Sequence, residues 1–214
     1  MNDLSNFKML KPNNQINNLV EFIDSHLDKF PDSTEFFELL EKKKNENQHS
    51  LSFCLYMTKK CNCDFYFARE NSQRGSTVID IGVYKGSNLI FTIEAKVLPT
   101  PAGTTATPRN VYEYVYGRGG GIQRFKDGKH GVDNHDNLLP DNGMIAYVKD
   151  KAFPYWHNQI NQWIVEAGWD KNEKLKLRDL TSDNKYISIH KLNDSTTVKL
   201  YHFWINVNNK EKLI

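Results

Sequence analysis

Cysteine is scarce: Cys54, Cys61 and Cys63 are the only three in 214 residues. A sparse, odd set excludes a disulfide framework as the source of stability. Cys61 and Cys63 are also too close for the usual C-x₂₋₄-C zinc pair, and Cys54 falls on an apolar helical stripe. No apolar run approaches the roughly 20 residues that cross a bilayer. The opening MNDLSNFKML has neither the apolar core nor the cleavage site of a secretory leader. A cytoplasmic protein without a membrane partner is therefore expected. Repeats, low-complexity linkers and a strong charge of one sign are missing as well. A net charge of +2 and a pI near 8.3 do not mark a nucleic-acid binder, so any basic surface has to be local.

What is present is ordinary globular material. Hydrophobic residues make up 39%, enough in a chain of this length to bury a core without metal or disulfide staples. Length predicts one domain. Residues 1–44 read as a helical extension, 45–150 as a core, and 151–214 as a closing helix and strand pair. Ile16, Leu19, Val20, Ile23 and Leu27 follow helical spacing up to Pro31. Asp32 and Glu35 resemble a capping box opening a second helix through Phe36, Phe37, Leu39 and Leu40. A third helix is predicted over 45–58, with Leu51, Cys54, Leu55 and Thr58 on its stripe.

The pattern then changes to strands at 64–69, 77–84 and 89–97. Between the last two, KGSN (85–88) reads as a tight hairpin turn. A helix is predicted over 110–116, GRGGG interrupts it, and IQRFK follows. GMIAYV (143–148) is continuously apolar, as expected of a strand buried on both faces. Pro154 opens a helix bearing Trp156, Ile160, Trp163, Ile164 and Ala167 on one side. KYISIHKL and TVKLYHFWINV close the chain as an antiparallel pair. The tryptophans read as core. GRGGG lacks the Gly-Lys-Ser/Thr ending of a nucleotide-binding loop, though its glycines would let backbone amides approach a phosphate. His130 and His135 lie in a polar loop without the context of a histidine-metal nuclease.

FTIEAKVLPT (91–100) carries the chemistry. Glu94 and Lys96 share one face of a strand that otherwise reads as buried. With the hairpin turn near Gly86 and Ser87, Asp80 falls opposite residue 93 or 94. Directly opposed Cβ atoms lie roughly 4.5–5.5 Å apart. Two carboxylates that close repel unless a proton or cation sits between them. Hard oxygen ligands of this kind suit Mg²⁺ or Mn²⁺, and a neighbouring lysine can orient a water and offset charge on a phosphate. A structural salt-bridge cluster is the bland alternative, which leaves net negative charge in the sheet. Arg109, Arg118, Arg124 and Lys126 follow within one short stretch, where a nucleic-acid backbone would lie. The alternative there is a solvated face.

Asp80 followed by Glu94-Ala95-Lys96, on a hairpin within α-β-β-β-α-β order, resembles the PD-(D/E)xK superfamily of restriction-endonuclease-like nucleases. The resemblance covers roughly residues 45–150, with Ile79 where the family name has proline. It implies an α/β fold with a restriction-endonuclease-like αβββαβ core, a central mixed sheet flanked by helices, extra N-terminal helices, and a C-terminal helix plus two strands. It implies further that Asp80, Glu94 and the Ala95 carbonyl ligate Mg²⁺ or Mn²⁺ and that Lys96 is the catalytic lysine. Glu46 is the best-placed acid on the preceding helix, and Gln123 would steady the site or a phosphate. Cleavage of DNA, in host defence or DNA processing, is the expected activity. Target choice would come from an ATPase or sensor partner or from a homodimer. A non-catalytic nucleic-acid- or partner-binding module and a metal-dependent RNase are the alternatives.

Overall fold

Leu19, Val20, Ile23 and Leu27 form the buried stripe of α1 (Pro12–Leu27), as their spacing predicts. This is a computed structural model, and it describes residues 12–40, 45–62, 64–106 and 108–208. Cys63 and the opening MNDLSNFKML lie outside the described residues, as do the side chains of Leu39 and Leu40. α2 (Thr34–Leu40) is capped by Ser33, not Asp32: Ser33 Oγ accepts the Phe36 N–H at 3.2 Å. Asp32 is taken up in a 3₁₀ turn, Phe30–Asp32, so the first extended residue comes one position later.

α3 (Glu46–Lys60) starts where expected, with Asn45 Oδ1 accepting the Gln48 N–H at 3.0 Å. Its buried face differs from the predicted stripe. Phe53, Cys54, Tyr56 and Met57 are buried, whereas Leu55 is 48% exposed. The aromatic rings decide the orientation: Phe30 takes both Phe53 and Tyr56, with ring centroids 5.4 and 5.6 Å away. Fully burying a large apolar side chain contributes roughly 1.5–3 kcal/mol, so two buried rings outweigh one half-exposed leucine.

The seven strands are β1 (Tyr66–Ser72), β2 (Val78–Lys85), β3 (Asn88–Leu98), β4 (Asp141–Val148), β5 (Lys176–Leu177), β6 (Lys185–Lys191) and β7 (Thr197–Asn206). They form one sheet in the order β1-β2-β3-β4-β7-β6-β5. The β3–β4 and β4–β7 pairs are parallel and the others antiparallel, so the sheet is mixed. The β2–β3 hairpin has the expected two-residue turn: Lys85 pairs Asn88, and Gly86 takes φ +58°. β4 is buried along its whole length, as its apolar run predicts. Its parallel neighbours are reached through α4 (Gly121–Lys126) on one side and α5 (Phe153–Glu166) on the other. Element order from α3 to β4 is therefore α-β-β-β-α-β, within an α/β fold flanked by helices.

Two layers cover the sheet. α1–α3 pack against Phe91, Ile93, Ala95 and Val97 of β3, while Leu98 faces the layer of α4 and α5. The alternation places Glu94 and Lys96 on the α4/α5 side. Segments toward the two ends of the chain are tied together: Arg178, directly after β5, donates to Asp24 of α1 at 2.8 Å, and Asn184, directly before β6, donates to Asp28 at 2.8 Å.

The helix expected over 110–116 is a run of turns. Carbonyls of Glu113, Tyr114 and Val115 accept N–H groups of Gly121, Ile122 and Gln123 at 2.9, 3.2 and 2.9 Å. The first turn of α4 thus finds partners for its orphan donors in the segment that would have been helix. The amides of Gly117, Gly120 and Gly121 are thus spent within the fold. These glycines serve close packing: a Cβ on Gly120 would meet Tyr116 Cα at 2.5 Å, and one on Gly121 would meet Met144 Cε at 2.6 Å.

A buried polar chain crosses the same layer. Trp204 Nε1 donates to Tyr114 Oη at 3.1 Å, which lies 2.8 Å from His202 Nδ1. Ser188 Oγ stands 2.7 Å from both His202 Nε2 and His190 Nε2, and His190 Nδ1 is 3.3 Å from Glu173 Oε2. With both imidazoles neutral, one proton arrangement satisfies every member. Tyr114 donates to His202, His202 to Ser188, Ser188 to His190 and His190 to Glu173. Burial lowers both imidazoles, His202 well below 6.5, and keeps them neutral.

Candidate active site at the open edge of the third strand

The β2–β3 ladder ends at Ile81 and Ile93. Ile79 packs into the α4/α5 layer and Ile81 into the opposite one, so β2 crosses between layers at Asp80. Beyond Ile93, backbone groups of β3 that would have met β2 need other partners. Two carboxylates supply them. Asp80 Oδ2 accepts the Ala95 N–H at 2.8 Å, and Glu46 Oε2, from the first turn of α3, accepts the Val97 N–H at 3.3 Å. Within a strand, a residue's N–H and C=O leave by the same edge, so the Ala95 carbonyl points to the side where these carboxylates stand.

Glu94 is buried on the α4/α5 side of this edge. Its Oε1 accepts from Lys96 Nζ at 2.7 Å and from Arg124 Nη1 at 2.9 Å. His130 Nδ1 stands 3.2 Å from Oε2, within ion-pair range but without hydrogen-bond alignment. Lys96 Nζ is also 3.9 Å from Glu46 Oε1. Arg109 reaches Glu46 Oε2 at 3.8 Å while holding Glu113 Oε2 at 2.7 Å. Glu46, Asp80, Glu94 and Glu113 therefore face Lys96, Arg109 and Arg124, an excess of one carboxylate.

That excess appears in the proton affinities. Burial, then the Glu94 charge, pushes the Asp80 carboxyl up to about 7; Lys96 opposes this, and Glu46 adds a smaller push. Burial would raise Glu94 too, but Lys96, His130 and Arg124 outweigh it and hold the carboxyl at about 2. Burial disfavours the Lys96 cation, yet Glu94, Glu46 and Asp80 raise its proton affinity, so it stays charged. A cleft of ≈ 720 Å³ opens beside this edge, lined among others by Glu46, Val97, Pro99, Arg109 and Asp150.

The donor chemistry fits a hard divalent cation: carboxylates from three elements, a strand carbonyl, and one carboxyl raised to about 7 by burial and then by its neighbours' charge. Among the described residues, no three His, Cys, Asp or Glu side chains stand at metal-holding distances. Lys96, Arg109 and Arg124 carry the positive charge there.

Comparisons of the chain with protein-family models, curated proteins and solved structures find no match. No helix among the described residues is long and apolar enough to cross a membrane.

Asp80, Glu94, Ala95, Lys96 and Glu46 are thus brought together. Gln123 is not bound to them: its Oε1 accepts the Gly117 N–H at 2.9 Å and steadies the glycine turn. Its neighbour Arg124 is the α4 side chain that reaches Glu94, because one position along the helix changes the direction of approach. Arg124 and Arg109 belong to the carboxylate cluster instead of a free basic strip. Lys126 lies elsewhere, bonded to both Glu173 oxygens at 2.8 and 2.7 Å and lying 4.8 Å over the Trp169 ring. Arg118 alone of the four is exposed without a partner among the described residues. His130 was missed as a site residue. The chain folds back directly after α4, with the Lys129 and His130 N–H groups both donating to the Arg124 carbonyl, and this brings the ring to Glu94. The signal was slight: KHG, where Gly131 takes φ +82°.

Proposed function

We propose that this chain is a metal-dependent nuclease of the restriction-endonuclease-like, PD-(D/E)xK kind, hydrolysing DNA phosphodiester bonds with Mg²⁺ or Mn²⁺. One observation carries the reading: carboxylates from β2 and α3 both cap the unpaired edge of β3, at the strand that presents Glu94 and Lys96. Asp80, Glu94 and the Ala95 carbonyl would hold the ion, with Glu46 beside them. Bound there, the ion would act as a Lewis acid on the scissile phosphate and lower the pKa of a water.

The chain's own groups do the rest. Lys96, held as a cation, is a donor and not a base: it offsets charge on the attacked phosphate and can orient a water. Asp80 gives up its proton when positive charge arrives. Arg109 lines the cleft and shares Glu46 with the site, so it can turn to a substrate phosphate without crossing the fold. DNA is the partner on this reading. An effector role in defence or DNA processing, directed by an ATPase or sensor subunit or by dimerisation, follows by analogy alone.

A second reading rests on Glu94, whose Oε1 is shared by Lys96 and Arg124 and whose Oε2 faces His130. A carboxylate so fully compensated suits a non-catalytic module that holds nucleic acid or a protein partner. Metal-dependent cutting lost in Lys96→Ala separates the two. Metal-independent, salt-sensitive binding without cutting favours the module. DNA and RNA of one sequence, compared side by side, test the RNase alternative.

A further inference from the structure

Beside the carboxylate cleft lies a second hollow, of ≈ 330 Å³, whose walls are mostly aromatic and aliphatic: Pro99, Val111, Tyr155, Trp156 and Trp163. The two share Pro99 and Asp150 in their walls, so they adjoin. Tyr155 is 48% exposed and Val111 62%, an unusual outlay of apolar surface for one place. The Tyr155 ring is fixed edge-on against Trp156, with centroids 5.2 Å apart at 86°. Trp156 in turn is pinned by its Nε1–H, which donates to the Asp150 carbonyl at 2.9 Å. On the opposite wall, Thr100 Oγ1 donates to the Val111 carbonyl at 3.2 Å and ties the link after β3 to the turn segment.

Besides the Asp150 carboxylate, whose Oδ1 is buried without a hydrogen-bond partner among the described residues, two polar groups at the hollow are unspent. Gln159 lines it half-buried, with its amide unbonded among the described residues, and Lys151 is exposed at its rim without an ion pair among them. A rigid aromatic face, an amide offering both donor and acceptor, and a nearby cation match the three parts of a nucleotide: base face, base edge and phosphate.

We infer that this hollow is a nucleobase subsite, which stacks a base next to the scissile phosphate on Tyr155 and reads its edge with Gln159. The inference rests on the nuclease reading and names its substrate class. In a duplex both faces of a base are covered by stacking, so only a single-stranded or locally unpaired nucleotide can enter. The enzyme is therefore directed to unpaired DNA.

The test is fluorescence anisotropy in EDTA, where no cutting occurs. The probes are a labelled oligo-dT strand and an abasic strand of equal length, with wild type, Tyr155→Ala and Tyr155→Phe. Alanine substitution at a stacking platform costs roughly 1–3 kcal/mol per base, about 5- to 150-fold in affinity. A loss near 10-fold for Tyr155→Ala on oligo-dT, none on the abasic strand, and recovery with Tyr155→Phe is expected. Equal losses on both strands, or none on either, overturn the subsite. So does wild-type binding that is no tighter for the strand with bases, or a concentration-dependent dimer sensitive to Tyr155→Ala without base dependence. Tyr155 is exposed, so the variant should keep its thermal midpoint, which is checked first. Cutting without base dependence removes the subsite and leaves the nuclease. Base-dependent binding without metal-dependent cutting removes the nuclease reading instead.

Discussion

Asp80 Oδ2 accepts the N–H of Ala95 at 2.8 Å, and with that bond a side chain replaces the strand ladder. The carboxyl is held there at a cost, because burial, and after it the Glu94 charge, raises it to about 7 against an ordinary 3.8. A native acid raised above its unfolded value binds its proton more tightly when folded. Stability from this group therefore falls as pH rises from about 4 to 7, and the loss is complete above 7. Asp80→Asn keeps an oxygen to accept the Ala95 N–H and removes the charge. We predict that Asp80→Asn abolishes cutting yet is more stable than wild type above pH 7, by roughly 2–4 kcal/mol, with no difference near pH 4. Urea unfolding at the two pH values checks this, and a less stable variant at pH 8 would contradict it.

Lys96 and Glu94 form a buried pair, and removing one partner strands the other. Arg124 and His130 still face Glu94, so Lys96→Met should lose about 1–3 kcal/mol, below the full cost of an uncompensated buried charge. Glu94→Gln combined with Lys96→Met is expected to lose less than the two single losses added. Thermal unfolding of the four proteins in this cycle gives the coupling directly.

Arg118 and Lys126 were read from sequence as one basic strip, and they should now behave differently. Arg118 is exposed and unpaired among the described residues, so Arg118→Ala lowers the salt slope of DNA binding by about one, with an unchanged thermal midpoint. Lys126 holds Glu173, so Lys126→Ala costs roughly 1–3 kcal/mol of stability and leaves the salt slope alone. Salt titrations of both variants separate these outcomes.

The chain from Trp204 to Glu173 predicts acid sensitivity remote from the site. His190 and His202 are held neutral below their ordinary 6.5, so the unfolded state binds the extra protons and stability falls as pH drops below about 6.5. Glu173 has burial working against its charge, but His190, Lys126 and the Lys191 N–H lower it to about 2, so its contribution is full above about pH 4.5 and is lost progressively as pH falls to about 2. Ser188→Ala leaves two imidazole nitrogens without partners and should cost roughly 1–3 kcal/mol at pH 8. A Ser188→Ala protein as stable as wild type would mean the chain contributes nothing.

Much of the fold was legible because local rules decided it. KGSN could make only a short turn, so the hairpin and the arrival of Asp80 beside the 94–96 stretch followed. GMIAYV was too short for a helix pattern and too apolar for a surface strand. Where tertiary contacts decided, the reading failed. The Tyr112–Tyr116 segment has helical spacing, but its carbonyls accept from α4 and helix does not form. Leu55 matched the stripe of α3, but Phe53 and Tyr56 had aromatic partners from another helix turn. Composition likewise counts cations without their partners: Glu94, Glu113 and Glu173 pair Arg124, Arg109 and Lys126, which the sequence could not show. That the acids and the lysine gather at one strand edge was readable, since charge on a buried strand already needs an explanation.

The most direct measurement is cleavage of plasmid and single-stranded DNA, with RNA alongside, by wild type, Lys96→Ala and Asp80→Asn in Mg²⁺, Mn²⁺ or EDTA. Cutting of DNA by wild type that requires the metal and disappears in both variants is expected. Cutting that persists in EDTA or in Lys96→Ala would contradict the nuclease reading at this site, as would metal-independent binding of DNA by all three proteins with no cutting by any.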